Sequence, residues 1–278
     1  MVYRECRVFA TPIVFHTQSS VLSPAEWRDK LPNVTAPLPP HPPLESYYGE
    51  ASHREGFVRN IFDDTAAWYD STISFMSFGS GDRYRREAVA RNGLQPGMKM
   101  LDVASGTGIV ARAALEATKN DVDIVALDPS IGMMLAGRSK QSLRAVQGKA
   151  ESLPVASASF DFLTIGFALR HFADLHTVFT ECHRVLRPGG CLLILELTAP
   201  RSAAGRGLLG VYLGRVVPLY ARLRSGNREA ATLMRYYWDT IRTCVPPQTI
   251  ISALEGAGFR EVSRHVELAI FSEYRGSR

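Results

Sequence analysis

The sequence predicts a doubly wound, Rossmann-like α/β fold with a helical cap and an N-terminal extension. Three observations predict it. Strand and helix patterns alternate from Met100 to Glu196, the rhythm of a parallel sheet with helices on both faces. Cys191-Leu-Leu-Ile-Leu-Glu196 is a near-continuous apolar run, as expected of a strand buried on both sides. Met100-Leu-Asp-Val-Ala-Ser-Gly-Thr-Gly-Ile-Val-Ala-Arg112 reads as a buried strand, a glycine turn and a helix. The chain has 278 residues, 46% of them hydrophobic, enough for one sizeable core and a small cap.

Residues 1–22 carry weak apolar character without a clear period, which leaves their order open. Ser23-Pro-Ala-Glu26-Trp27 reads as a capping box opening a short helix, with proline at its first position. Pro32 to Pro43 is proline-rich, so an extended linker is expected. Residues 1–55 are therefore read as a partly disordered extension and 56–278 as the domain proper. Phe57–Phe62 and Ala66–Asp70 form one or two helices. Phe75–Gly81 is an apolar patch with a glycine turn, and Arg83–Arg91 is helical. Gly93-Leu-Gln-Pro-Gly97 breaks the chain before the first strand.

After the glycine turn, Asp123–Asp128 is a second strand and Ser130–Arg138 a helix. Ala145–Gln147 and Ser159–Ile165 are further strands. Leu175–Leu186 is a helix stopped by Arg187-Pro-Gly-Gly190, ahead of the apolar strand. Residues 201–245 interrupt the alternation. There Leu208, Tyr212, Leu219 and Leu223 recur at helical spacing with arginines between them, and Pro218 is expected to kink the helix. This segment reads as a cap over the pocket. Thr249–Ala257 returns as a helix, and Glu261–Val266 with Leu268–Ser272 close the fold as strands.

Composition narrows the function. Four scattered cysteines, Cys6, Cys182, Cys191 and Cys244, include no C-x-x-C pair, which fits a reducing cytosol rather than a disulfide framework or zinc site. Net charge is +5, but no dense basic run with interleaved aromatics marks a nucleic-acid partner. No apolar stretch reaches transmembrane length, and the N-terminus lacks the features of a signal peptide. His171, His176 and His183 lack the cysteines or acids that would complete a metal set.

The glycine turn implies a ligand at a helix N-terminus. Gly106-Thr-Gly108-Ile-Val-Ala111 satisfies a dinucleotide pattern. However, Asp102 would set a carboxylate beside the pyrophosphate. The same acid suits a ligand carrying an amino group and no phosphate, such as S-adenosylmethionine (SAM). Asp128 ends the next strand about 20 residues after the turn, the position from which a carboxylate takes both ribose hydroxyls.

At these residues the chain resembles the ubiquinone/menaquinone biosynthesis C-methyltransferases (UbiE-like), a family of class I SAM-dependent methyltransferases. The resemblance runs from about Phe57 to Arg275. It rests on Ile61-Phe62 with Ala66 and Tyr69-Asp70, Ser77-Phe78-Gly79, Leu101–Gly108, and Ala150-Glu-Ser-Leu-Pro154. Phe167-Ala-Leu-Arg-His171, Arg184-Val-Leu-Arg-Pro-Gly-Gly190 and Ala257-Gly-Phe259 complete it.

The resemblance implies roles. Ala104, Gly106, Thr107 and Gly108 line the methionine end of SAM, with Asp102 near its amino group. Asp128 and Pro129 hold the ribose side. Met133 lies either at the adenine edge or in the core. Lys149 and Ala150 stand where the family has Asn or Asp then Ala. Lysine cannot accept from the adenine amino group, so only backbone contacts carry over. Gly166 replaces a frequent serine. The family's Leu-Arg-Asn is Leu169-Arg170-His171 here, so Arg170 is expected to stabilise a phenolate and His171 to act as a base or a hydrogen-bonding group. Tyr69 and Asp70 are either pocket residues or helix-packing ones.

The implied reaction is C-methylation of a prenylated quinol or related aromatic in quinone biosynthesis. Natural-product O- or C-methylation, or a silent SAM-binding partner role, are the alternatives. For residues 201–228, six arginines among apolar groups fit peripheral contact at the inner face of a membrane, a roof over the site, or a homodimer contact.

Overall fold

In the computed structural model the described residues are 36–138 and 143–278. The capping-box helix expected at Ser23–Trp27 lies outside them, as does the start of the proline-rich stretch. Helices α1 (Glu45–Tyr48), α2 (Arg54–Met76) and α3 (Gly81–Arg91) precede the sheet. Then follow β1 (Lys99–Val103), α4 (Ile109–Ala117), β2 (Asp123–Asp128), α5 (Ile131–Arg138), β3 (Arg144–Gln147), β4 (Phe160–Gly166), α6 (Leu175–Val185) and β5 (Leu186–Leu197). The cap holds α7 (Ala203–Val211), α8 (Val217–Ser225) and α9 (Arg228–Thr243). The chain closes with α10 (Pro247–Gly256), β6 (Arg260–Glu267) and β7 (Phe271–Ser277).

The seven strands lie in the order β3-β2-β1-β4-β5-β7-β6. The first five are parallel, whereas β7 runs antiparallel to both β5 and β6, so the sheet is mixed rather than wholly parallel. The last strand extends to Ser277, beyond the apolar run that announces it. Its buried Glu273 is admitted because Arg91 donates to it at 2.6 Å and Asn92 at 2.8 Å.

Alternation along each strand separates two core layers. Met100, Phe162 and Leu193 face α3 and α4, while Leu101, Leu163 and Ile194 face α6 and α10. Arg187-Pro-Gly-Gly190 does not end in a loop. It is an irregularity inside β5, where Leu186 pairs with Phe160 and Cys191 with Phe162.

Residues 36–55 belong to the same compact unit as the sheet. The Leu38 N–H donates to Asp174 at 2.8 Å, its carbonyl accepts from Leu175, and the Pro40 carbonyl accepts from Val245. The proline-rich stretch is thus a strap bound to the domain from residue 36 onward, not a plain linker. In the cap, where a kink is expected at Pro218, the helical run is continuous and passes through a single π-helical turn, Tyr212–Val216, just ahead of the proline. Leu213, Val217, Leu233 and Tyr237 of the cap pack on Ile61 of α2.

Candidate active site

A cavity of ≈ 1480 Å³ opens at the C-terminal ends of β1, β2 and β4 and runs beneath the cap. At one end is the glycine turn. Ala104, Gly106 and Gly108 have φ of +53°, +57° and +77°; in alanine this conformation stores strain, as functional turns often do. Gly108 caps α4 in the left-handed region, leaving the first amides of that helix free of helical partners.

Two acids hold this end. Asp128 accepts from the Gly106 N–H at 2.7 Å through one oxygen and from the Ser130 N–H at 2.8 Å through the other. Burial pushes its carboxyl up to about 6, against the pull of those amides. Asp102 is completely buried, and burial pushes it up to about 7. Thr164 donates its hydroxyl to Asp102 Oδ1 at 2.6 Å; Oδ2 makes no hydrogen bond of full geometry, although the Ala111 N–H in the first turn of α4 lies close enough to favour the ionised acid. A buried carboxylate oxygen met this weakly has capacity for a donor from a ligand.

The other expected cofactor residues divide. Thr107 donates its hydroxyl to Asp70, and Arg112 donates to Asp70 Oδ2 at 3.0 Å and to the Thr107 carbonyl at 2.9 Å. Asp70, read as either a pocket or a helix-packing residue, braces the glycine turn from α2. Pro129 and Ala150 line the cavity, and buried Met133 brings its Cε to 3.1 Å from where a Gly106 side chain would begin. The Lys149 ammonium pairs at 2.5 Å with Glu55, both well exposed. At Gly166 a Cβ would lie 2.5 Å from Val110 Cγ2, so the frequent serine has no room unless Val110 moves.

The opposite end is aromatic. Phe62, Tyr69, Phe167 and Tyr237 line it. His171 follows β4 on a 3₁₀ turn, Leu169–His171, positioned by Phe167 at φ +59°. Its ring meets Phe62 edge-on at 5.2 Å and stacks on Tyr236 at 5.6 Å. Both ring nitrogens are shielded and unpartnered. Burial, reinforced by the charges of Arg170 and Arg54, holds its pKa well below the usual histidine value. His171 is therefore neutral at physiological pH and suited to hydrogen bonding. Burial likewise pushes the Tyr69 phenol up, keeping it protonated.

Arg170 is not in the cavity wall. Its Nε donates to Glu196 at 2.9 Å, Nη1 to Thr240 at 2.7 Å and Nη2 to the Phe167 carbonyl at 3.3 Å, and it is completely buried. Its donors are spent inside the protein, so the phenolate role expected of it is not placed there.

Sequence reasoning missed several residues. Asp63 of α2 accepts from the Ser130 hydroxyl at 2.6 Å and the Gly132 N–H at 2.8 Å, fixing the start of α5. His41 lines the cavity from a stretch that reads as linker. Arg85 lines it from α3, where only the neighbouring Ser77-Phe78-Gly79 triplet gave a signal.

The residues fit SAM. The buried Asp102 carboxylate suits a cationic amino group, each Asp128 oxygen keeps a lone pair for a ribose hydroxyl, and the turn leaves bare backbone beside both. Fold and site together define a class I SAM-dependent methyltransferase. Within that class, the chain belongs to the ubiE/COQ5 methyltransferase family, whose profile matches residues 50–270. A demethylmenaquinone methyltransferase from Mycobacterium sp. (strain JLS) is 36% identical over 205 residues, 74% of this chain and 86% of that one. The ubiquinone/menaquinone biosynthesis C-methyltransferase UbiE of Shewanella oneidensis is 31% identical over 220 residues, covering 77% and 86%. Among solved structures, a SAM-dependent methyltransferase from Thermotoga maritima, described as a possible histamine N-methyltransferase, shares the fold. Its TM-score is 0.56 at 19% identity, over 78% of this chain and 98% of that one. A SAM-dependent methyltransferase from Aquifex aeolicus gives 0.51 at 16% identity, covering 69% and 88%.

Proposed function

We propose that this enzyme methylates a ring carbon of a prenylated naphthoquinol or benzoquinol. The observation that carries this reading is a single cavity with a carboxylate-held cofactor end and an apolar, aromatic acceptor end. Relatives named as demethylmenaquinone and ubiquinone/menaquinone methyltransferases support it.

When bound, SAM supplies a methyl group on a sulfonium. The chain's task is alignment and activation of the acceptor. Asp102 meets the amino group, Asp128 the ribose, and Met133 and Ala150 the adenine side. Phe62, Tyr69 and Phe167 flank the flat acceptor, and neutral His171 accepts a hydrogen bond from one of its hydroxyls. With SAM bound, the acceptor's ring carbon would gain the methyl as the C–S bond breaks and leaves its electron pair on sulfur, and the proton then lost from that carbon would pass to water in the cavity. The test is incubation with methyl-deuterated SAM and reduced demethylmenaquinol, with the product read by mass spectrometry. A deuterated methyl on the quinol ring is expected; label on oxygen, or no labelled quinol, would overturn the assignment.

The same reading includes peripheral contact between the cap and an anionic membrane. No helix among the described residues is long and apolar enough to cross a bilayer. Phe78 (81% exposed), Leu208 (75%), Leu219 (58%) and Leu223 (76%) nevertheless stand out, with exposed Arg215 and Arg222 between the cap leucines and exposed Arg224 just after them. Phe78 and Leu208 also line the cavity, so lipid contact would lie at its mouth. Sedimentation with anionic liposomes should retain the protein at low salt and release it as salt rises or when Arg222 and Arg224 become Glu. Protein left in the supernatant at low salt would favour a roof or dimer role.

A further inference from the structure

The acceptor end contains a second buried arginine, and its circumstances are the reverse of Arg170's. Arg85 of α3 is only 6% exposed, and it forms part of the cavity wall. Its Nε is buried without a hydrogen-bond partner. Its ion pair from Nη1 to Asp82 is long at 3.3 Å, and that carboxylate is 77% exposed, where solvent screens it. The guanidinium lies 5.3 Å over the Phe167 ring and within electrostatic reach of Tyr69, Tyr237 and the Asp70 carboxylate, which is itself engaged by Thr107 and Arg112. Gly81 makes the seat. A Cβ there would lie 2.6 Å from Arg85 Nη1 and 2.8 Å from Ser77 Oγ, so any side chain would push the guanidinium aside.

A buried cation with an unmet donor, set among phenyl and phenol rings at the wall of a ligand cavity, is poised for an anion that arrives with an aromatic ring. We propose that Arg85 is a catalytic residue that holds the ionised phenolic oxygen of the acceptor. This rests on the aromatic-acceptor reading and deepens it. Carbon methylation needs electron density on the ring, and a phenolate supplies it where the neutral phenol does not. A free phenol of ordinary acidity ionises near pH 10, so at neutral pH less than about 1% is reactive without help. A guanidinium fixed in a site of low dielectric stabilises that charge without reorganising during the reaction. Phe167 carries the cation on its face, and Tyr69, held protonated, can donate to the same oxygen.

The test uses the full chain with S-adenosylhomocysteine (SAH) bound and a nitronaphthol whose visible band appears only on ionisation. In wild type the bound probe should ionise at least one pH unit below the free probe. In Arg85→Gln that shift should vanish, and kcat for quinol methylation should fall about 100-fold. Arg85→Lys should restore much of both, and Gly81→Ala, which displaces the guanidinium but keeps its charge, should give an intermediate loss. SAH affinity within twofold of wild type shows that each variant is folded. If Arg85→Gln fails that check, Gly81→Ala carries the test alone. A folded Arg85→Gln or Gly81→Ala with unchanged kcat and unchanged probe ionisation would overturn the role of Arg85 and leave the acceptor reading standing. A wild type that neither binds the probe nor methylates any quinol would overturn both.

Discussion

At the cofactor end of the cavity, the defining groups come from one short stretch and the strands beside it. Asp102, Gly106, Gly108 and Asp128 sit on β1, β2 and the turn between β1 and α4, and backbone amides satisfy Asp128. At the acceptor end, the wall is assembled from side chains of α2, α3, the turn after β4 and the cap. The first end depends on strand register, which the buried sheet fixes strongly. The second depends on how separate helices pack, so its chemistry is free to differ where the cofactor site stays the same. The two arginines make the point locally. Arg170 is surrounded by partners and holds the acceptor wall together, whereas Arg85 has a donor to spare and faces the cavity.

If the wall depends on Arg170, Arg170→Met should be the most damaging single change. It strands Glu196, already in a buried pair, and should lower stability by about 3–5 kcal/mol in urea unfolding. Adding Glu196→Leu should recover much of that loss. Equal stability of wild type and Arg170→Met would break the distinction between wall and lining.

At the cofactor end, Asp128→Ala removes the ribose carboxylate and the acceptor for the Gly106 amide. SAH affinity should fall by about 2–3 kcal/mol in calorimetry, with acceptor binding little changed. Comparable loss at both ends would mean that they are not separable.

The pH dependence of this end follows from Asp102 and Asp128, pushed up to about 7 and about 6 from an ordinary 3.8. The folded apoprotein binds more protons than the unfolded chain in that interval. Its stability should therefore decline from about pH 4 to about pH 7 on account of these two groups, the reverse of a salt-bridged carboxylate. A cationic amino group favours the ionised acid, so SAH affinity should rise with pH up to about 7 and then level off. Asp102→Asn should flatten the rise. An affinity that does not change between pH 5.5 and 8 in wild type would exclude an ionisable Asp102 from the site.

The smallest effect is expected at His171. Because its imidazole is held neutral, His171→Asn should lower kcat only about tenfold, by the same factor from pH 6 to 8.5. A loss confined to one side of neutrality would restore a proton-accepting role.

The cofactor end was legible in the sequence because its parts are contiguous and their spacing is the motif. Thr164 escaped notice, since a hydroxyl within a buried strand carries no signal until register sets it against Asp102. At the acceptor end, His171 stands out only because it replaces the asparagine of the family's Leu-Arg-Asn. Arg170 belongs to the same motif, although its partner Glu196 lies on another strand and its pairing is invisible to spacing. Asp70 reads equally as a pocket or a helix-packing residue because nothing in its neighbourhood announces Thr107 and Arg112. His41 and the strap were hidden by proline, which sets extended backbone but does not say what that backbone touches. Antiparallel β7 was read short because Glu273, Arg275 and Gly276 break its apolar pattern, whereas burial between β5 and β6 and the Arg91 partner maintain the strand.

The separation of the two ends is tested most directly by paired titrations of each variant, SAH by calorimetry and a nonreactive quinone by tryptophan quenching. Asp102→Asn and Asp128→Ala should weaken SAH at least about 30-fold and leave quinone affinity within a factor of about three. Arg85→Gln and His171→Asn should leave SAH within that same factor of about three while altering the acceptor. If acceptor-end variants lose SAH as severely as Asp128→Ala does, the cavity is one undivided site and its two ends are not independent.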